Sequence, residues 1–323
     1  MKKAILSLSS LLLLTFSTLA VRADSVLTTV TVGAAPGSVA VNPRTNKIYV
    51  AVSNLGQVAV IDGKTQRVAA RIDAGGGPLA VNVITNRIYA TSCSFSAASC
   101  NIAVINGNSD RVITTIPIAS GSSIGLQGIA VNPVTNRIYA SDADNDQYIV
   151  IDGKTNSIIT EVPVFTQPAG IAVNPRTNRI YVVGGGFPGG ILVFDGDTNA
   201  QLATIPEDFG VENIAANFLL NRAYVTQGSG ALIVVDGATN QNITQVPTGE
   251  FPDAVDVNLL NNKVYVTNGR GLSVTIIDGK TNQVLQTLPV PAAFPSGVGV
   301  NDATGLTYVS DGASDKVIVL QPN

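Results

Sequence analysis

An Asn followed seven residues later by a Tyr occurs seven times, at Asn42/Tyr49, Asn82/Tyr89, Asn132/Tyr139, Asn174/Tyr181, Asn217/Tyr224, Asn258/Tyr265 and Asn301/Tyr308. The spacing inside each copy never varies, while the Asn positions step by 40, 50, 42, 43, 41 and 43 residues. Seven of the eight Tyr fill this one slot. A period in the forties means small units that cannot bury an apolar face alone and must stack on their neighbours. The first question is therefore which repeat architecture the chain adopts.

Each copy holds four short segments rich in β-branched residues and bounded by Gly, Pro and Asn, the pattern of strands. The first ends at the Asn, as in Ile171-Ala172-Val173. The second surrounds the Tyr. The third runs into Asp-Gly, as in Val150-Ile151-Asp152-Gly153. The fourth precedes a Pro, as in Val284 to Leu288. The turn Asn-Pro-x-Thr-Asn joins the first two, and Asp-Gly-x-Thr-Asn joins the last two. Pro suits the first corner of a type I turn, and a closing Asn, or Gly305 in the last copy, suits a left-handed residue. Tight turns predict a four-stranded antiparallel meander, with strands A to D.

The ends predict closure. The last copy stops after a C strand at Lys316 to Leu320, and Val26 to Gly33 matches a D strand with no A to C before it. Pairing them completes a ring of seven four-stranded blades and leaves no unfinished edge. The expected fold is an all-β, seven-bladed β-propeller closed by the N-terminal strand. The runs Tyr265-Val266-Thr267-Asn268 and Tyr224-Val225-Thr226-Gln227, with the Asp-Gly-Lys-Thr-Asn turn, resemble the YVTN family of β-propeller repeats across essentially the whole mature chain. That resemblance implies a seven-bladed propeller, often exported in prokaryotes, and says little about activity.

Residues 1–23 read as a Sec-type signal peptide, leaving one propeller domain over residues 24–323. Lys2 and Lys3 precede an apolar run from Ala4 to Phe16, and Val21-Arg22-Ala23 suits cleavage before Asp24. The run is shorter than the ~20 residues of a spanning helix, so the expectation is a periplasmic or secreted monomer with no membrane span. Cys93 and Cys100 are expected to form a disulfide there. With no His in the chain, a metal site at these two Cys lacks further ligands. Removing Lys2, Lys3 and Arg22 leaves 16 basic and 22 acidic residues, a net charge of −6. That balance opposes wholesale attraction to nucleic acid.

In a propeller the repeated A–B and C–D turns share one face, the hairpin face, and the variable B–C and D–A loops share the other. A site is expected among the variable loops. Six Phe fall there: Phe95, Phe165, Phe187, Phe209, Phe251 and Phe294. They are either seam packing or an aromatic surface. The acids Glu207, Asp208, Glu212, Glu250, Asp253, Asp311 and Asp315 join them, with Arg270. The candidate ligand or partner face is Phe187, Glu207, Asp208, Phe209, Glu250, Phe251, Asp253, Arg270 and Phe294. Asp142-x-Asp144-x-Asp146 has the alternation of a calcium loop but lacks its Gly and distal Glu, so it reads as a solvated loop or a divalent-cation site. Asp256 breaks strand A, where other copies have Ala or Gly. It is a satisfied structural acid or a channel-lining functional one.

On the hairpin face, Lys47, Arg87, Arg137, Arg179, Arg222 and Lys263 open six B strands. This basic ring is either braced by the Asp of the Asp-Gly turns or available to an anion or DNA. The absence of His excludes a Ser-His-Asp triad and His-ligated metals. No Gly-rich loop links a strand to a helix, so dinucleotide and P-loop readings fail. The expectation is an exported binding scaffold for a protein or small-molecule ligand, without catalysis and without a cofactor. Two alternatives stand. One is a metal-dependent hydrolase or lactonase built on channel-mouth carboxylates. The other is anion or DNA binding by the basic ring.

Overall fold

The computed structural model describes residues 23–94, 99–119, 125–164, 167–184, 189–207 and 210–322. The expected signal peptide therefore lies outside the described residues, apart from Ala23, as do Phe95, Phe165, Phe187, Asp208 and Phe209.

The described strands form seven four-stranded antiparallel sheets. Six are consecutive in the chain, over residues 36–73, 79–118, 126–163, 168–206, 211–247 and 252–289, and form blades 1 to 6. Blade 7 combines Pro295–Val300, Thr307–Asp311 and Lys316–Gln321 with the first strand, Ser25–Thr31. That strand pairs with Lys316–Gln321 from Ser25↔Gln321 to Thr31↔Lys316. The sequence expectation of a seven-bladed ring closed by its N-terminal strand holds.

The turn chemistry behaves as the residue types dictate. All six closing Asn of the A–B turns, from Asn46 to Asn262, have φ between 51° and 60°, and Gly305 has φ 77°. Asn tolerates this region better than other non-Gly residues because its side chain bonds locally. The first Asn of each turn accepts from backbone N–H groups two or three residues on, as Asn132 Oδ1 does from Val134 N and Thr135 N.

That same Asn also reaches the next blade. Asn42 Nδ2 donates to Asn86 Oδ1 at 2.7 Å, Asn82 to Asn136, Asn132 to Asn178, Asn174 to Asn221, Asn217 to Asn262, and Asn301 back to Asn46. Six of the seven seams are thus tied by one amide bond between an Asn that starts a turn and one that ends it. At the seam of blades 6 and 7 the acceptor position is Gly305, and no such bond forms.

Beneath this belt the seams are apolar. Every repeat Tyr is at most 1% exposed. Each packs with residues of the following blade, as Tyr49 does beside Ile88 and Ala90, and Tyr139 beside Ile180 and Val182. One ring buries on the order of 200 Å², or roughly 5 kcal/mol of transfer free energy as an upper bound. The hydroxyls are treated unequally. Tyr265 donates to Asp24 Oδ2 at 2.9 Å, whereas Tyr181 Oη is buried with no partner among the described residues. A buried hydroxyl without a partner costs stability that a Phe would not. We expect Tyr181→Phe to be neutral or stabilising and Tyr265→Phe to cost about 1–2 kcal/mol. Urea unfolding of the two variants checks this; equal effects would contradict the assigned bonds.

Candidate functional site

The A strands surround a central channel made of two joined cavities. The one toward the variable-loop face is about 500 Å³ and is lined by Gly, Ala and larger aliphatic residues with the polar groups Ser38, Gln127, Asn213, Asp253 and Ser296. The one toward the hairpin face is about 760 Å³. Asp256 lines both.

The basic ring on the hairpin face is occupied in holding blades together. Lys47 Nζ donates to Gly107 O and Asp110 of the next blade. Arg87 donates to Gly153 O, Arg137 to Gly196 O and Arg222 to Gly279 O, each in the C–D turn of the following blade. Arg179 pairs with Asp195 in its own blade, at 2.6 Å. Lys263 binds Asp24 at 2.6 Å. Asp24 precedes the closing strand as Asp110 precedes the fourth strand of blade 2. The sequence anticipated bracing by the turn Asp; the structure uses mainly the turn Gly carbonyls, which a guanidinium reaches across the seam.

Asp142, Asp144 and Asp146 do not converge. Asp142 is buried and accepts from Asn145 and Gln147 within its own loop. Asp144 accepts from Gly125 N in the loop before, and Asp146 from Gln167 N in the loop after. Among the described residues, no group of three or more acids is placed to hold a metal ion. Cys93 and Cys100 lie directly opposite each other on paired strands and form the disulfide, with Cα atoms 4.0 Å apart.

The channel acids gather on one wall, from blade 5 to blade 7. Asp256 Oδ2 accepts from Val300 N across the seam at 2.7 Å, and its Oδ1 accepts from Val257 N. Asp302 Oδ1 accepts from Leu259 N in the reverse direction at 2.8 Å. These two carboxylates bridge the seam that lacks the Asn bond. Burial pushes the Asp256 carboxyl up to about 7 despite those two N–H donors, and pushes Asp302 up as well. Asp256 is therefore both satisfied and channel-lining. Asp302 was missed in the sequence, although its position holds Pro43, Val83, Pro133, Pro175, Phe218 and Leu259 in the other copies, so aligning that position shows it.

At the variable-loop mouth, Asp253 is pushed up to about 7, by burial first and by the charge of Glu212 second. Burial raises Glu212 too. No basic residue lines this cavity among the described residues. Beside it, Phe251 and Phe294 pack at 6.2 Å with Arg270 over the Phe251 ring at 4.9 Å. Asp311 accepts from Ala293 N and Phe294 N, which fixes that loop. The Phe294 ring lies where a Cβ on Gly269 would be, 2.6 Å from its tip. Phe251 has φ 56°, a strained backbone for a bulky residue. The two Phe are half-buried, so they both pack the seam and present an edge. Glu250 and Arg270 are exposed beside them. Glu207 stands apart, accepting from Asn242 Nδ2 at the outer edge of blade 5.

Compared with models of known protein families and with curated protein sequences, the chain matches none.

The raised carboxyls have a stability consequence. Asp253 and Asp256 titrate near 7 in the fold and near 3.9 when unfolded. Between those values the folded state holds protons that the unfolded state releases. Their contribution is complete below about pH 4 and is lost as pH rises through about 7. The chain has no His to mask this window. The urea midpoint is expected to fall from pH 5 to pH 8, and Asp253→Asn to flatten that slope and stand above the parent at pH 8. A parent midpoint that rises with pH across this range would refute the assignment.

Proposed function

We propose that this chain is an exported binding propeller that receives a partner at the variable-loop mouth of blades 5 to 7, without chemical turnover. The observation that carries this reading is the Glu212–Asp253 pair. Two neighbouring carboxylates are held in a half-buried position with no cation lining the cavity, an arrangement that costs stability and favours an incoming donor or positive charge. The Phe251–Phe294–Arg270 cluster supplies an aromatic edge with a charge of its own, the composition found in interaction hot spots. The likeness to YVTN-type repeats supports a seven-bladed scaffold of the exported kind. The disulfide is consistent with an oxidising compartment, and no helix among the described residues is long and apolar enough to cross a membrane.

The hydrolytic alternative would use the same acids. Glu212 and Asp253 are better candidates than the Asp142 loop for a divalent cation, because both are desolvated and the charge of Glu212 is felt at Asp253. DNA binding by the hairpin-face ring has less support, since five of its six cations are committed to seam contacts and Arg179 to Asp195.

Two measurements separate these readings. Partner capture by cross-linking is expected to fall about tenfold in Asp253→Asn and in Phe294→Ala, the loss of one charge-assisted bond or one aromatic contact. Capture unchanged in both would remove the site. Under the binding reading, Ca²⁺ shifts the melting temperature by less than about one degree. A rise that EDTA reverses and that Glu212→Gln abolishes would favour the hydrolase instead.

A further inference from the structure

The opposite mouth of the channel, on the hairpin face, is chemically different, and what it binds does not depend on the reading of the variable loops. Its cavity of about 760 Å³ falls within the ~300–1,000 Å³ of small-molecule sites. Two residues per blade build it, one on each side of the belt Asn. The residue before is Val in six blades and Ala216 in blade 5. The residue after is Pro in blades 1, 3 and 4, then Val83, Phe218 and Leu259, and Asp302 only in blade 7. Thirteen of these fourteen positions are therefore apolar.

The apolar character continues outward. At the next position, Ile84, Val134, Leu219 and Leu260 are 53%, 71%, 44% and 73% exposed. The turn does not require this. The same position accepts Arg44, Arg176 and Ala303 in the other blades, and the turn geometry depends only on its two end residues. An exposed apolar rim around an apolar funnel, with no structural need for it, is the mark of a binding surface.

One wall of the funnel carries charge. Asp302 stands at the rim and Asp256 deeper, both at the seam of blades 6 and 7. Asp302 commits Oδ1 to Leu259 N, and its Oδ2 has no partner among the described residues. Among the described residues the one basic residue lining the funnel is Arg176, on blade 4, away from that seam. We propose that the hairpin-face mouth binds an amphiphilic monocation, its compact apolar body seated against the Val, Pro and Phe218 wall and its ammonium group against Asp302 and Asp256. Burial of the body supplies affinity, and a charge-assisted bond in a partly dehydrated site is stronger than the same bond in water. An anionic amphiphile of equal size meets two carboxylates and is disfavoured.

The test is calorimetric titration of the mature protein at pH 8, where both carboxyls are largely ionised, with decylammonium, decanol and decanoate, each kept below micelle formation. Saturable one-to-one binding is expected, with decylammonium about tenfold tighter than decanol, and decanoate weakest. Asp302→Asn retains an acceptor for Leu259 N and should lower decylammonium affinity about tenfold while leaving decanol unchanged. Leu260→Lys, at a 73% exposed position, should weaken decylammonium by placing a competing cation at the rim. Asp253→Asn, at the far mouth, should change nothing. Absence of saturable binding, equal affinity for the three probes, indifference to both hairpin-face variants, or sensitivity to Asp253→Asn would each overturn the proposal. The last would move the probe to the variable-loop mouth.

Discussion

The amide bond from one Asn to the next blade's Asn is the interaction on which the ring depends. Apolar packing between sheets is strong but non-directional, and it would tolerate sliding of one blade past another. A hydrogen bond between two side chains that are themselves fixed by their turns does not. The Oδ1 cap on Val134 N and Thr135 N holds the Asn132 amide in the orientation that aims its Nδ2 at Asn178. One residue therefore closes its hairpin and sets the register of the seam. The Arg and Lys contacts to turn carbonyls repeat the same tie nearer the rim, and the Tyr rings fill the space beneath.

The proposed sites collect where this symmetry fails. The seam of blades 6 and 7 has Gly305 where the acceptor Asn should be, and Asp256 and Asp302 at positions that are small or apolar elsewhere. Backbone N–H groups from each blade meet a carboxylate from the other, so the seam is still tied. Carboxylates used as ties differ from amides in one respect: they carry charge into the channel. Together with Asp253 they give the channel one acidic wall, while most of the rest of its lining is aliphatic or Gly and Pro.

Much of this was legible in the chain. The Asn-x₆-Tyr repeat gave the blade number, the turn residues gave the meander, and the incomplete ends gave the closure. Asp256 stood out because six strand A copies lack an acid there. Asp302 was equally visible but lay one residue beyond the repeated Asn, in a position easily dismissed as turn. The Asp142 alternation suggested convergence, yet its three side chains serve three different loops. Alternation in sequence says which way backbone positions face, not which N–H groups lie within reach. The basic ring read as braced by the turn Asp, because its main partners, turn carbonyls, have no side-chain signature.

The sequence by itself determined the architecture, because period, turn chemistry and strand pattern are local properties that repeat and reinforce one another. Only the tertiary structure decided which of two chemically similar groups is spent on cohesion and which faces the channel. That choice depends on the neighbouring blade. Arg137 is committed because Gly196 O lies across its seam, and Asp253 is pushed up because the ring buries it, with the charge of Glu212 adding to the effect. It also decided that the repeated hairpins, which read as pure scaffold, surround an apolar funnel. Ten separately ordinary Val and Pro positions become a surface only once the ring brings them to one axis.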